Sequence, residues 1–153
     1  QGVTGVQTCA LPILALYNRY IGDWGGTSTS YRFEAVKNGK VVKVVRKEPV
    51  TSMHLSAEPD HQNLTERHTY EAAEIRIRAL DQNDNIVNFY QEPVVLSAEG
   101  PIAIIGPKII SLQGGMGGTY VRTTGEEGIG ILKIRAAQME EQRIQFEVKN
   151  DRK

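Results

Sequence analysis

The sequence predicts an all-β protein whose main domain is a sandwich of two packed sheets. Three observations support this fold class. Apolar and polar residues alternate with a period of two along much of the chain after Tyr31, as in strands with one buried face. Gly, Pro, Asn and Asp residues interrupt this alternation at short intervals. No segment carries the apolar face of a long helix, so we expect very little helix.

Composition limits the partners of the protein. Its 153 residues are 40% hydrophobic, which is enough for one core. Lys and Arg together number 18, as do Asp and Glu, so the formal net charge is zero. This balance indicates no nucleic-acid partner and no attraction to an anionic membrane surface. The apolar stretches are too short to span a bilayer, so we expect no membrane partner.

The N-terminal segment is set apart from the fold. The stretch VTGVQTCALPI, Val3 to Ile13, resembles the conceptual translation of a sequencing-library adapter. We therefore expect residues 1–13 to be non-native and to lie loosely on the surface. They contain Cys9, the only cysteine, so the rest of the chain has no disulfide framework or thiolate zinc site. This cysteine usage favours a cytoplasmic location over secretion.

A β-hairpin follows. Tyr31, Phe33 and Ala35 alternate with polar residues, and Val41 to Arg46 return as the partner strand. Between them lies Asn38-Gly39, the preferred pair for a two-residue type I′ turn. A lone hairpin is marginally stable in water. We therefore predict that residues 14–48 are the C-terminal remnant of a preceding β-sandwich domain.

Residues 49–153 are predicted to form an immunoglobulin-like β-sandwich, because short strands and turn signals recur over about a hundred residues. Pro49 marks the joint. In Ala73–Ala79 we expect Ile75, Ile77 and Ala79 to face inward. Asp60–His68 is predicted as a loop and Asp81–Asn85 as a turn. The other predicted strands are Val50–Ala57, Ile86–Phe89, Val94–Ala98, Ile102–Ile105, Ile109–Leu112, Gly118–Thr123, Gly130–Ala136 and Arg143–Lys149.

The motifs ALDQN, EGP, IIGP and TTGE, which follow one another after Arg78, are more specific than a strand pattern. This region resembles the C-terminal immunoglobulin-like domain of glycoside hydrolase family 2 enzymes, chiefly bacterial β-galactosidase-like proteins. The upstream stretch from Asp23 to Val50 resembles the end of the sandwich domain that precedes it there. The family's usual turn is DQNGN, and this chain has Asp84 in place of the Gly.

The resemblance implies a parent enzyme that hydrolyses β-galactosides or related glycosides with two glutamates on a barrel. The acid/base glutamate of such enzymes follows an Asn, and no Asn-Glu dipeptide occurs here. No catalytic residue, metal ligand or cofactor is therefore assigned. We expect a non-catalytic accessory domain that supports packing and stability beside the catalytic barrel and the preceding sandwich. Two alternatives stay open: a carbohydrate-binding module, and a cell-surface adhesion repeat.

Two features are candidate binding sites. Trp24, with Tyr17, Tyr20 and Tyr31 nearby in sequence, could form a stacking platform for a sugar, although burial is the commoner use of a large aromatic side chain. The oxygen-bearing side chains of Asp81–Asn85 could bind Ca²⁺, although a turn is the simpler interpretation. We expect Tyr90, which follows Phe89, to serve burial, as most large aromatic side chains do.

The remaining motifs predict structural roles. His54, His61 and His68 are expected to be exposed rather than zinc ligands. The glycine-rich stretch 114–118 leads into a strand, so it predicts a bulge or wide hairpin turn rather than a phosphate loop. The pairs Glu126-Glu127 and Glu140-Glu141 are predicted to be surface charge.

Overall fold

The computed structural model describes residues 13–19 and 29–151, and the chain divides after Pro49 into two compact units. Residues 13–19 form a short helix. The strands of the described residues are β1 (Tyr31–Lys37), β2 (Lys40–Lys47), β3 (Met53–Pro59), β4 (Asn63–Glu66), β5 (Ala72–Asp81), β6 (Pro93–Glu99), β7 (Ile102–Ile105), β8 (Ile109–Ser111), β9 (Met116–Thr123), β10 (Gly128–Ala136) and β11 (Gln142–Asn150). None of the helical segments described is long and apolar enough to cross a bilayer.

In the first unit, β1 and β2 form an antiparallel hairpin with a bulge between Ala35 and Val36. The turn residues Asn38 and Gly39 have φ angles of 52° and 73°, as a type I′ turn requires, so the predicted turn is confirmed. Most side chains of both strands are exposed. The exposed hydrophobic residues of the hairpin are Phe33, Val36, Val41, Val42 and Val44.

The second unit is a sandwich of two sheets. One sheet has the strand order β3-β5-β9-β7 and the other the order β4-β11-β10-β6-β8. Neighbours pair antiparallel except β4, which lies parallel to the last strand, β11. The chain thus passes from one sheet to the other between β3 and β4, an arrangement typical of immunoglobulin-like sandwiches. The predicted all-β sandwich fold is confirmed.

The core lies between the two sheets. In β5 the side chains of Ile75, Ile77 and Ala79 are fully buried, as the alternation predicts. The largest fully buried apolar side chains come from both sheets: Phe146, Leu55, Leu64, Ile75, Ile77, Leu96, Leu112, Leu132, Ile134, Val94 and Val121. Burial of this kind on facing layers supplies most of the stabilisation of a sandwich.

Two local predictions are wrong. The segment predicted as a loop at 60–68 contains β4, whose pairing partner is β11 at the far end of the chain. The stretch Ile86–Phe89 is not a strand. Only Ile86 forms a bridge, to Leu80. The chain then turns, because the Tyr90 N–H donates to the Val87 carbonyl oxygen at 2.9 Å.

Candidate functional site

A polar cleft lies where β4 and β9 end at one end of the sandwich. Its volume is about 340 Å³, within the range of small-ligand pockets. One wall is the loop after β4, with Arg67, His68 and Tyr70, and the other is the end of β9, with Arg122. We call this the Arg122 cleft. Its lining is Glu66, Arg67, His68, Thr69, Tyr70, Arg122, Thr123 and Thr124.

The floor of the Arg122 cleft is fixed by hydrogen bonds between distant segments. Glu66 is buried, and its Oε2 accepts a hydrogen bond from the Gly125 N–H at 2.9 Å. The Glu71 N–H donates to the hydroxyl of buried Thr123 at 3.1 Å. The Thr123 N–H donates in turn to the Glu71 carbonyl oxygen at 2.9 Å. These bonds connect the segment around β4 to the end of β9, so they fix the positions of the two cleft walls relative to each other.

Within the cleft, Tyr70 and Arg122 form a cation–π pair. The guanidinium carbon of Arg122 lies 5.4 Å from the centroid of the Tyr70 ring. Such pairs stabilise by about 0.5–1 kcal/mol at exposed sites. The Arg122 guanidinium also donates to the Thr123 carbonyl oxygen at 3.5 Å, a weak contact. Tyr70 nevertheless remains 51% exposed, so much of its ring is open to solvent.

A second depression, of about 390 Å³, includes Met53, Phe89, Tyr90, Glu92 and Gln138 in its lining. Tyr90 is buried as expected, and its hydroxyl has no hydrogen-bond partner among the described residues. Burial, assisted by the nearby Glu92 carboxylate, raises the pKa of Tyr90. The adjacent Phe89 is 70% exposed. The turn closed by Tyr90 directs Val87 and Tyr90 inward and leaves Phe89 on the surface.

The Asp81–Asn85 segment is the turn that the sequence favours. Asp81 is buried, and its Oδ1 accepts hydrogen bonds from the N–H groups of Asn83 at 2.8 Å and Asn85 at 2.9 Å. The Asn85 side-chain amide donates to both Asp81 oxygens. Asp84 adopts a left-handed φ of 60°, a conformation that Gly adopts most readily and that Asp and Asn also tolerate. The Asp81 carboxylate is thus occupied by the turn itself, and no group of metal-ligating side chains is found in the described part of the chain.

The histidines lie apart and differ in surroundings. His68 is exposed, as expected. His54 is half-buried, and its Nε2 lies 3.2 Å from Asp84 Oδ1. His61 is also half-buried, since its Nδ1 lies 2.9 Å from Asp60 Oδ1 and its Nε2 3.5 Å from Glu71 Oε1. The predicted exposure is therefore confirmed for His68 and holds in part for the other two, whose side chains are 45% (His54) and 37% (His61) exposed beside these carboxylates.

The glycine-rich stretch forms a narrower turn than predicted. Gly114 and Gly115 have φ angles of 60° and 75° and connect Gln113 to Met116 as a two-residue turn. Gly117 and Gly118 belong to β9, so the chain continues into a strand as expected.

The paired glutamates make surface contacts. Glu127 Oε1 accepts a hydrogen bond from the Asn150 N–H at 3.0 Å. Glu141 forms ion pairs with Arg135 at 3.2 Å and Arg143 at 2.6 Å. Such contacts order the surface near strand ends and contribute little to stability. Trp24, the predicted sugar-stacking candidate, lies outside the described residues, as do Tyr20 and Cys9.

The sequence is similar to those of known proteins. No protein-family model matches the chain. A β-galactosidase from Rhizobium radiobacter is 33% identical over 144 residues, which cover 89% of this chain and 98% of that relative. The chain belongs to the β-galactosidase family. A β-galactosidase from Rhizobium meliloti is 34% identical over 99 residues, which cover 63% of this β-galactosidase-family chain and only 13% of that relative.

Solved glycoside hydrolase family 2 structures share the fold. A β-glycosidase from Bacteroides vulgatus matches 80% of the chain with a TM-score of 0.65 at 15% identity. A glycosyl hydrolase family 2 member from Bacteroides cellulosilyticus matches 78% with a TM-score of 0.63 at 15% identity. The chain covers 18% and 17% of these structures, respectively. At this identity the likeness concerns the fold alone.

The sequence motifs missed the residues of the Arg122 cleft. Arg67 and Tyr70 lie in a segment whose polar composition predicts an ordinary loop, and Arg122 lies on the outward side of β9 between buried Val121 and Thr123. Each is an unremarkable surface residue in sequence. Only the pairing of β5 with β9, which brings Ala72 opposite Arg122, places the loop beside the arginine.

Proposed function

We propose that this chain is a non-catalytic accessory β-sandwich domain from the C-terminal end of a glycoside hydrolase family 2 β-galactosidase, in which it supports domain packing and stability. The observation that carries the proposal is the small share of the longer relative to which the chain corresponds, 13% of the Rhizobium meliloti β-galactosidase. The activity of that enzyme on β-galactosides would then belong to other parts of the same polypeptide. These parts are the proposed partners of the domain. A cytoplasmic location stays a prediction.

The proposed domain boundaries follow the sequence. We assign residues 49–153 to the immunoglobulin-like domain, residues 14–48 to the remnant of a preceding sandwich and residues 1–13 to a non-native segment. Exposed hydrophobic side chains on the hairpin support the second assignment. Phe33 pairs with Val45, and the adjacent Val44 points to the opposite face. Phe33 and Val44 are 57% and 42% exposed, so both faces of the hairpin carry uncovered apolar surface, as strands taken from a larger sheet would.

A direct assay tests the non-catalytic role. The Rhizobium radiobacter relative has almost the same extent as this chain, so activity in a protein of this size must be measured. We expect the purified chain to release no nitrophenol from o-nitrophenyl β-galactoside above the buffer rate, with the Rhizobium meliloti enzyme as the positive control. Turnover that copurifies with the folded chain would show that it is an enzyme in its own right.

A deletion tests the supporting role. Removal of the matching 99 residues from the Rhizobium meliloti β-galactosidase is expected to lower its melting temperature or change its oligomeric state. A matched chimera, in which the corresponding 63% of this chain replaces the deleted stretch, should restore both. If the deleted enzyme keeps its melting temperature, oligomeric state and kcat, the supporting role is wrong.

A further inference from the structure

The Arg122 cleft holds the two arginines of the sandwich that have no carboxylate partner among the described residues. Four of the six arginines described in residues 50–151 form ion pairs: Arg76 with Glu74, Arg78 with Glu58, and Arg135 and Arg143 with Glu141. Arg67 and Arg122 have no carboxylate oxygen of a described residue within 4 Å, and both line the same cleft. The other four guanidinium groups are thus neutralised by nearby carboxylates. The guanidinium groups of Arg67 and Arg122 are available to bind an anionic ligand.

The carboxylate in the cleft lining, that of Glu66, has a structural role. Glu66 is 1% exposed, and its Oε2 is taken by the Gly125 N–H. Because this carboxylate lies beneath the surface whereas Arg67 is exposed and Arg122 half-buried, an incoming group meets the two guanidinium groups first. The cleft therefore selects for negative charge.

Tyr70 gives the cleft its second property. The guanidinium of Arg122 lies over one face of the ring, which holds this planar fork in a fixed orientation. A single guanidinium can cover only one face, and half of Tyr70 remains exposed. An aromatic surface beside hydroxyl groups, here those of Thr69 and Thr124, suits the apolar face and the hydroxyls of a sugar ring.

We propose that the Arg122 cleft binds an acidic saccharide, with the anionic group on Arg67 and Arg122 and the sugar ring against Tyr70. Arginine forms bidentate hydrogen bonds with carboxylate, sulfate and phosphate oxygens alike, so the recognised chemistry is a sugar that carries one of these groups. The inference does not depend on the accessory-domain proposal, since it concerns the sandwich alone. It differs from a platform at Trp24 in both position and ligand charge.

The test is isothermal titration of the full chain at low salt with four probes: digalacturonic acid, galactose 6-sulfate, neutral galactobiose and inorganic sulfate. We expect at least one acidic sugar to bind at least tenfold more tightly than galactobiose and than inorganic sulfate, and the two acidic probes distinguish a carboxylate from a sulfate ester. Binding should weaken as salt is added, because the charges are exposed. Equal binding of galactobiose would overturn the charge selection, and equal binding of inorganic sulfate would overturn the sugar assignment.

Variants locate the site. Arg122→Gln is expected to weaken the binding of the acidic sugar at least tenfold, and Arg67→Gln, on an exposed loop where folding is not at risk, several-fold. Arg122→Lys keeps the charge but loses the fork, so it should fall between wild type and Arg122→Gln. Arg135→Gln, an exposed arginine outside the cleft, is the matched control and should bind like wild type. If Arg67→Gln and Arg122→Lys both bind like wild type, or if none of the four probes binds, the assignment is wrong.

Discussion

The hairpins β1–β2 and β10–β11 are both antiparallel strand pairs rich in apolar residues, but their environments differ. In β10–β11, Leu132 faces Ile144 across the pair, and neighbouring Phe146 is fully buried. In β1–β2, Phe33 faces Val45 across the pair, yet Phe33 is 57% exposed. The difference is that a second sheet covers β10–β11. Alternation therefore predicts a strand, whereas burial requires a second layer that the local sequence does not contain.

The largest expected effect contrasts two phenylalanines. Phe146→Ala should lower the free energy of unfolding of the sandwich by about 3–5 kcal/mol, because it leaves a cavity in the core. Phe33→Ala, the matched change in the exposed hairpin, should alter it by less than about 0.5 kcal/mol. Urea unfolding followed by circular dichroism measures both. Equal losses would mean that Phe33 is buried in solution.

Two turn glycines with similar φ angles provide the next comparison. A methyl group on Gly115 would lie 2.5 Å from the Val87 carbonyl oxygen, whereas one on Gly39 meets nothing within 4 Å. Gly115→Ala should therefore cost about 2–4 kcal/mol of sandwich stability, from the left-handed φ and the backbone clash together. Gly39→Ala should leave the urea midpoint of the sandwich unchanged. A similar midpoint for the two variants would show that the turn at Gly115 relaxes freely.

The buried Asp81 carboxylate gives a smaller effect. Asp81→Ala leaves the N–H groups of Asn83 and Asn85 without their acceptor and should cost about 1–3 kcal/mol. Asp84→Asn, whose side chain is exposed, keeps the left-handed φ and should cost less than about 0.5 kcal/mol. Thermal unfolding with and without about 5 mM CaCl₂ measures both effects. A large Ca²⁺-dependent rise in melting temperature that Asp81→Ala removes would contradict the turn interpretation.

The smallest effect depends on pH. Burial opposes ionisation of Asp60, but hydrogen bonds from the His61 and Glu74 N–H groups and the His61 imidazole outweigh it, so the pKa of Asp60 lies below its ordinary value. A carboxylate of this kind stabilises the fold above its unfolded pKa, about 3.9, and the contribution is lost as pH falls through the folded pKa. Asp60→Asn should thus cost at most about 1 kcal/mol at pH 7 and nothing once Asp60 is protonated. Urea midpoints from pH 7 to pH 2.5 measure this.

The matched control for the pH series is Glu140→Gln, at an exposed position. It should leave the urea midpoint unchanged throughout. A difference between wild type and Asp60→Asn that grows as pH falls would contradict the assignment.

Local sequence predicted most of the strands because their alternation and turn residues act locally. It missed β4, whose single large apolar residue, Leu64, gives no pattern, since the strand is held by parallel pairing with β11. It assigned Ile86–Phe89 as a strand because the composition fits, whereas the chain there folds back on β5. The Arg122 cleft could not be predicted, because its two arginines come from separate elements that only the sheet brings together.

Native-state amide hydrogen exchange tests the contrast between the two hairpins most directly. If β10–β11 belongs to a complete sandwich and β1–β2 lacks a covering layer, strand amides in β10–β11 should exchange only by global unfolding, with protection factors above about 10⁴. Those in β1–β2 should have protection factors below about 10². Equal protection of β1–β2 and β10–β11 in the isolated chain would contradict the assignment of the hairpin to a preceding domain.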